Sequence, residues 1–122
     1  MSLAPLVSIV DDDVSMREAI SLVLRCDGLR VETFDSAEAF LKTAPEPACA
    51  CIILDVRLPG ASGLELQRLL ARRRAAPPVI VVSAHLDEDV EKQALAAGAM
   101  AVLHKPFTEE ALVQTVRRAL QR

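Results

Sequence analysis

The stretch Ile52-Ile53-Leu54-Asp55-Val56-Arg57-Leu58-Pro59-Gly60 sets the first condition on the fold. Three large apolar residues run straight into a carboxylate. A Pro-Gly pair then stops any strand, because proline has no N–H to give a sheet and glycine favours turns. Asp55 therefore belongs where a buried strand ends and a loop begins. Taken alone, an aspartate in that position is a turn former or the cap of the next helix. The rest of the chain argues for more.

The pattern of a short apolar run stopped by polar residues recurs along the chain. Leu6-Val7-Ser8-Ile9-Val10 reads as strand one and stops at Asp11-Asp12-Asp13. From Val14 the period becomes helical, with Met16, Ile20, Val23 and Leu24 on one face, and Gly28 ends that helix at Cys26-Asp27. Leu29 to Phe34 alternates apolar and polar, the mark of a half-buried second strand. Ser36 caps a short helix with Ala37, Phe40 and Leu41 inward, and Pro45-Glu46-Pro47 is a loop. Strand three runs from about Ala50 to Leu54. Ser62 with Glu65 completes a capping box for a helix whose predicted buried face is Leu66, Leu69 and Leu70. Arg72-Arg73-Arg74 closes that helix, where its dipole favours cations. Pro77-Pro78 precedes strand four, Val79 to Val82, which ends at Ser83-Ala84-His85. Asp87 starts a helix with Val90, Ala94 and Ala97 inward, stopped by Gly98. Met100 to Leu103 is strand five, ending at His104-Lys105-Pro106. Thr108 opens the last helix, with Leu112, Val116, Ala119 and Leu120 on its apolar face.

Strands alternating with helices form βαβ units and a parallel sheet, and right-handed crossovers put helices on both of its faces. Strands one, three, four and five are predicted to be covered on both sides, because they are apolar throughout. Composition agrees with this class. A chain of 122 residues with 52% hydrophobic and 25% charged residues suits one globular domain. A net charge of −3 gives no reason to expect electrostatic capture of nucleic acid. No apolar run approaches the ~18 residues of a membrane span, and no signal peptide is evident, so a cytoplasmic location is expected. Cys26, Cys49 and Cys51 are then reduced thiols, and Cys49-x-Cys51 lacks the second Cys/His pair that zinc requires.

In such sheets ligands bind at the carboxyl ends of the strands. Those ends carry Asp11, Asp12, Asp13, Asp55, Ser83, Ala84 and Lys105. Two unit charges ~4 Å apart at an effective dielectric of ~20 repel by about 4 kcal/mol, so clustered carboxylates need a cation or must keep protons. Oxygen ligands in an open pocket suit Mg²⁺, and a hydroxyl and an ammonium opposite them suit the remaining oxygens of a phosphoryl group. A carboxylate nucleophile, Mg²⁺, Lys and Ser together fit phosphoryl transfer onto an aspartate.

The chain resembles the receiver domain of bacterial two-component response regulators, from Val7 to about Leu120. The motifs are Ile9-Val10-Asp11-Asp12-Asp13, Leu54-Asp55-Val56-Arg57-Leu58-Pro59 with Gly63, Val82-Ser83-Ala84, and Lys105-Pro106-Phe107. Each closes a predicted strand, in order. The resemblance implies a flavodoxin-like (βα)₅ doubly wound sheet of order 2-1-3-4-5. It implies that Asp55 is the phosphoacceptor, taking a phosphoryl group from a sensor histidine kinase. Asp12 and Asp55 would bind Mg²⁺ (or Mn²⁺), with the backbone carbonyl of Arg57 as a third contact and Asp11 acting through water. Lys105 would neutralise the phosphoryl oxygens, with a cis bond to Pro106. Ser83 would move onto the phosphoryl group and report its arrival. Arg57 and His85 would tune its lifetime. Asp13 is read as a helix-start residue, and His104 as a bystander. Beyond its own phosphorylation and dephosphorylation, no enzymatic activity is expected.

One position departs from the family pattern. Val102 stands three residues before the lysine, where the family usually carries Tyr or Phe, and its stiff β-branched side chain has no ring to rotate. The expected output is a changed surface on helix four, strand five and helix five. Ser36 to Leu41, with the Arg57 and His85 positions, resembles the subgroup joined to a helix-turn-helix domain. The chain is therefore expected to be the receiver, residues 1–122, of a transcription regulator whose output domain is absent here. DNA would be reached only through that domain, and phosphorylation-dependent homodimers follow the family habit. Two other readings stay open. One is a receiver-like interaction module that is never phosphorylated. The other is a Mg²⁺-dependent phosphatase of haloacid-dehalogenase type, which Asp11-x-Asp13 superficially matches but which leaves Asp55 without a role.

Overall fold

The apolar runs become the strands of one parallel sheet. The computed structural model describes residues 4–42, 49–56, 63–72, 76–84 and 88–121. In chain order the elements are β1 (Leu6–Val10), α1 (Val14–Cys26), β2 (Arg30–Phe34), α2 (Ala37–Leu41), β3 (Cys51–Asp55), α3 (Gly63–Ala71), β4 (Val79–Ser83), α4 (Glu88–Ala96), β5 (Ala101–His104) and α5 (Glu109–Leu120). The strands lie in the order β2-β1-β3-β4-β5, all parallel. This is the flavodoxin-like topology that the resemblance implied.

Alternation along the strands divides the interior in two. Val10, Ile52, Leu54, Val79 and Val81 face a core with Phe40, Leu66, Leu70 and Ala94, from α2, α3 and α4. Val7, Ile9, Cys51, Ile53, Ile80 and Val82 face a second core with Ile20, Leu24, Leu112 and Val116, from α1 and α5. Burying each of the larger aliphatic side chains stabilises the fold by roughly 1.5–3 kcal/mol.

Local signals set the helix ends. Asp13 caps α1, its Oδ1 accepting from Ser15 N at 2.9 Å and Met16 N at 3.3 Å. Ser36 and Thr108 cap α2 and α5 through Ala39 N and Ala111 N. Gly28 and Gly98, at φ 87° and 103°, close α1 and α4 in the left-handed conformation open to glycine. The Ser62 cap, the Asp87 helix start, Arg73, Arg74 and the Pro45–Pro47 loop lie outside the described residues.

Several expectations need correction. Strand three ends on Asp55 itself, and strand five starts one residue later than predicted. Strand five meets both cores, Val102 packing on the α4 side and Leu103 on the side of α1 and α5. All four of its residues are half-buried, because it is an edge strand paired only with β4. The inward face of α3 is Gly63, Leu66, Gln67 and Leu70, whereas Leu69 is 44% exposed. Gly63 explains the rotation. Its amide donates to Val56 O at 3.2 Å, and a Cβ there would overlap the Asp55 carbonyl oxygen. With Gly63 against the end of β3, helical spacing turns positions 66, 67 and 70 inward.

Candidate functional site

Parallel strands bring their carboxyl ends to one edge of the sheet. Val10 pairs with Leu54, so the residues that follow, Asp11 and Asp55, emerge side by side. Asp11 continues the line of β1, its amide donating to Phe34 O at 3.0 Å. Its carbonyl accepts from Arg17 Nη1 at 2.7 Å, and its Oδ1 accepts from Asp13 N at 2.9 Å. Asp11 is 1% exposed and Asp55 7%. Gly63 lets α3 approach the Asp55 backbone closely enough to brace it.

Lys105 enters from β5. Its amide donates to Ser83 O at 2.7 Å, which ties it to the end of β4. Its Nζ lies 3.1 Å from Asp11 Oδ2 and 3.2 Å from Asp55 Oδ2. Burial works to lower the pKa of this ammonium, but the Asp55 and Asp11 carboxylates outweigh it and hold the value above the ordinary lysine range. The group stays charged. Asp12 faces solvent, and one carboxylate oxygen from each of Asp11, Asp12 and Asp55 falls within 4.8 Å of the others.

Three carboxylates against one ammonium leave a local excess of negative charge. At such separations the repulsion is several kcal/mol. A hard divalent cation that prefers oxygen ligands and keeps some of its water would relieve it. The donor set fits: two carboxylates from the buried floor and one from the rim, with no sulfur or imidazole grouped with them among the described residues.

The structure thus brings together Asp11, Asp12, Asp55 and Lys105, with Ser83, 3% exposed, at the end of the adjacent strand. Arg57 and His85 lie outside the described residues. Asp13 is the α1 cap, as read from the sequence. The Lys105–Pro106 bond is cis, as the resemblance implied. Val102 is half-buried and packs on the α4 side of the sheet. Two residues went unremarked as supports. Arg17 is reached one helical turn beyond the aspartate triplet, a spacing that was available in the sequence. Gly63 was part of a motif, but its role depends on how closely α3 approaches β3. His104 Nε2 lies 3.5 Å from Glu91 Oε2 on α4.

This arrangement is matched in known proteins. The family model for the response regulator receiver domain matches residues 7–117. The response regulator protein TmoT of Ectopseudomonas mendocina is 46% identical over 115 residues, which are 94% of this chain and 52% of that protein. The transcriptional regulatory protein FixJ of Azorhizobium caulinodans is 40% identical over 116 residues, 95% of this chain and 55% of that protein. The solved BeF3-activated DrrB receiver domain superposes with a TM-score of 0.89 at 34% identity, covering 98% of this chain and 99% of that one. The chain belongs to the response regulator receiver domain family, whose members take part in two-component signalling. It spans about half the length of the relatives it matches.

Proposed function

We propose that this chain is a phosphorylation-controlled switch in which Asp55 accepts a phosphoryl group from a sensor histidine kinase. The observation that carries the reading is the Lys105 ammonium, 3.1 Å from Asp11 and 3.2 Å from Asp55, beside a third carboxylate. That is a nucleophile next to a fixed positive charge, with oxygen ligands for a metal. An Asp55 oxygen attacks phosphorus, the P–N bond to the donor imidazole breaks, and its electron pair returns to the leaving nitrogen. Mg²⁺, or Mn²⁺, would be held by Asp12, Asp55 and the Arg57 carbonyl, with Asp11 acting through water, and would supply positive charge at the phosphoryl oxygens. Lys105 neutralises a further phosphoryl oxygen, and the Ser83 hydroxyl donates to another as it shifts. Arg57 and His85 set how fast water removes the group.

The switch acts through the face formed by α4, β5 and α5, and a phosphorylation-dependent homodimer is one form of its output. The names of relatives such as FixJ support control of transcription through a DNA-binding output domain beyond this segment. The setting is cytoplasmic, where the kinase domain and DNA are reached. Among the described residues no helix is long and apolar enough to cross a membrane.

The test is intact-protein mass after incubation with acetyl phosphate and Mg²⁺, with wild type beside Asp55→Asn. The expected result is a gain of one phosphoryl group that requires both Asp55 and Mg²⁺. No gain by the folded wild type would make this an unphosphorylated interaction module.

A further inference from the structure

His104 stands where three structural connections meet. It is the last residue of β5 and precedes Lys105, the residue that bridges Asp11 and Asp55. It pairs in register with Ser83 on β4, just as Val102 pairs with Val81 two residues earlier. Val81 and Val102 both face the core beneath α3 and α4, so alternation directs Ser83 and His104 to that same side. From there the imidazole reaches the middle of α4, with Nε2 3.5 Å from Glu91 Oε2.

The ring is poorly matched to a purely structural role. Its Nδ1 is buried and has no hydrogen-bond partner among the described residues, whereas an aliphatic side chain would fill the site without leaving a polar atom unpaired. The contact with Glu91 is long for a hydrogen bond, and the two side chains are 29% and 37% exposed. Contacts of this kind are readily made and broken. His104 also carries the only ring in β5, whose other residues are Ala101, Val102 and Leu103.

We infer that His104 is a positioning residue that couples the site at the strand ends to α4, holding Glu91 in the resting state and releasing it when Ser83 shifts. It thereby takes over the coupling that Val102 cannot provide. The inference rests on the function proposed above. A contact made in one state and lost in the other is what a two-state element needs.

The test is amide hydrogen exchange across residues 88–96, with and without beryllofluoride and Mg²⁺ as the phosphoryl mimic. Wild type, His104→Ala, Glu91→Gln and the double variant are compared, with uptake from acetyl phosphate read by mass in parallel. Wild type should show α4 exchange about fivefold faster or more with beryllofluoride, the low end of coupling between sites. Each single variant should already show that faster rate without the mimic. The double variant should go no further, since the two residues form one contact. Uptake should persist in all four proteins. Glu91→Gln alters only a partly exposed helix position, so it keeps the test decisive should His104→Ala fold poorly. Resting variants whose α4 exchanges like wild type overturn the inference. So does faster exchange spread evenly over β1 and α5, which would mark general destabilisation. Absence of uptake by wild type would overturn the proposed function and the coupling with it, whereas uptake with unmoved α4 exchange overturns the coupling alone.

Discussion

Lys105 answers two buried carboxylates with one ammonium, so its removal should be felt in stability as well as in chemistry. Breaking a buried pair by deleting one partner costs about 3 kcal/mol, at the lower end of the usual range, because the remaining charges are left uncompensated. Lys105→Met should lower the urea midpoint accordingly at neutral pH. The sign of the pH dependence follows from the raised value of the ammonium. Its stabilising contribution is complete below the ordinary lysine value of 10.5 and is lost as pH rises through the higher folded value. The gap between wild type and variant should therefore stay constant through neutral and mildly alkaline pH and close beyond 10.5. A gap that narrows on acid titration alone would contradict the bridge. The bridging residues were legible in the sequence because each ends an apolar run. The helical spacing of Arg17 was legible too, but what it and His104 touch, the Asp11 carbonyl and Glu91, was not, because it depends on helix placement.

The elements were read from period and punctuation, and most of them held. Asp13, Ser36 and Thr108 cap the helices they were expected to open or precede. Gly28 and Gly98 end theirs. The rotation of α3 was hidden because Leu66, Leu69 and Leu70 form as good an apolar stripe as Leu66 and Leu70 with Gln67. A leucine outranks a glutamine in any hydrophobic pattern. What decided it was Gly63, whose missing side chain lets α3 lie against the end of β3. Gln67 then finds a use for its buried amide, with Nε2 donating to Ala94 O on α4 at 2.7 Å. Gly63→Ala should consequently lower the unfolding free energy by about 1–3 kcal/mol, as overpacking does. It should also slow phosphoryl uptake, since the displaced atoms belong to Asp55 and Val56. A variant with an unchanged urea midpoint would show that α3 can yield at no cost.

For the whole molecule, a metal held at the acidic edge, as proposed, would tie its binding to folding. A cation that binds the folded site and not the unfolded chain stabilises by mass action, by about 2.7 kcal/mol at a hundred times its dissociation constant. Added Mg²⁺ should therefore raise the melting temperature, and a chelator should reverse the shift. Asp12→Asn should abolish that shift. Asp13→Ala should keep it while losing about 1 kcal/mol of stability as a cap is removed. Equal shifts in both variants would mean the cation binds elsewhere. The sheet itself has another consequence. Because neighbouring residues of each strand serve separate interiors, one with α1 and α5 and one with α2, α3 and α4, the two layers are nearly independent under substitution. Changes at Leu24 and at Leu70 should add, whereas changes within one layer should interact. A lineage can thus diversify one flank while the other keeps its shape, with only the strand-end residues answering to both.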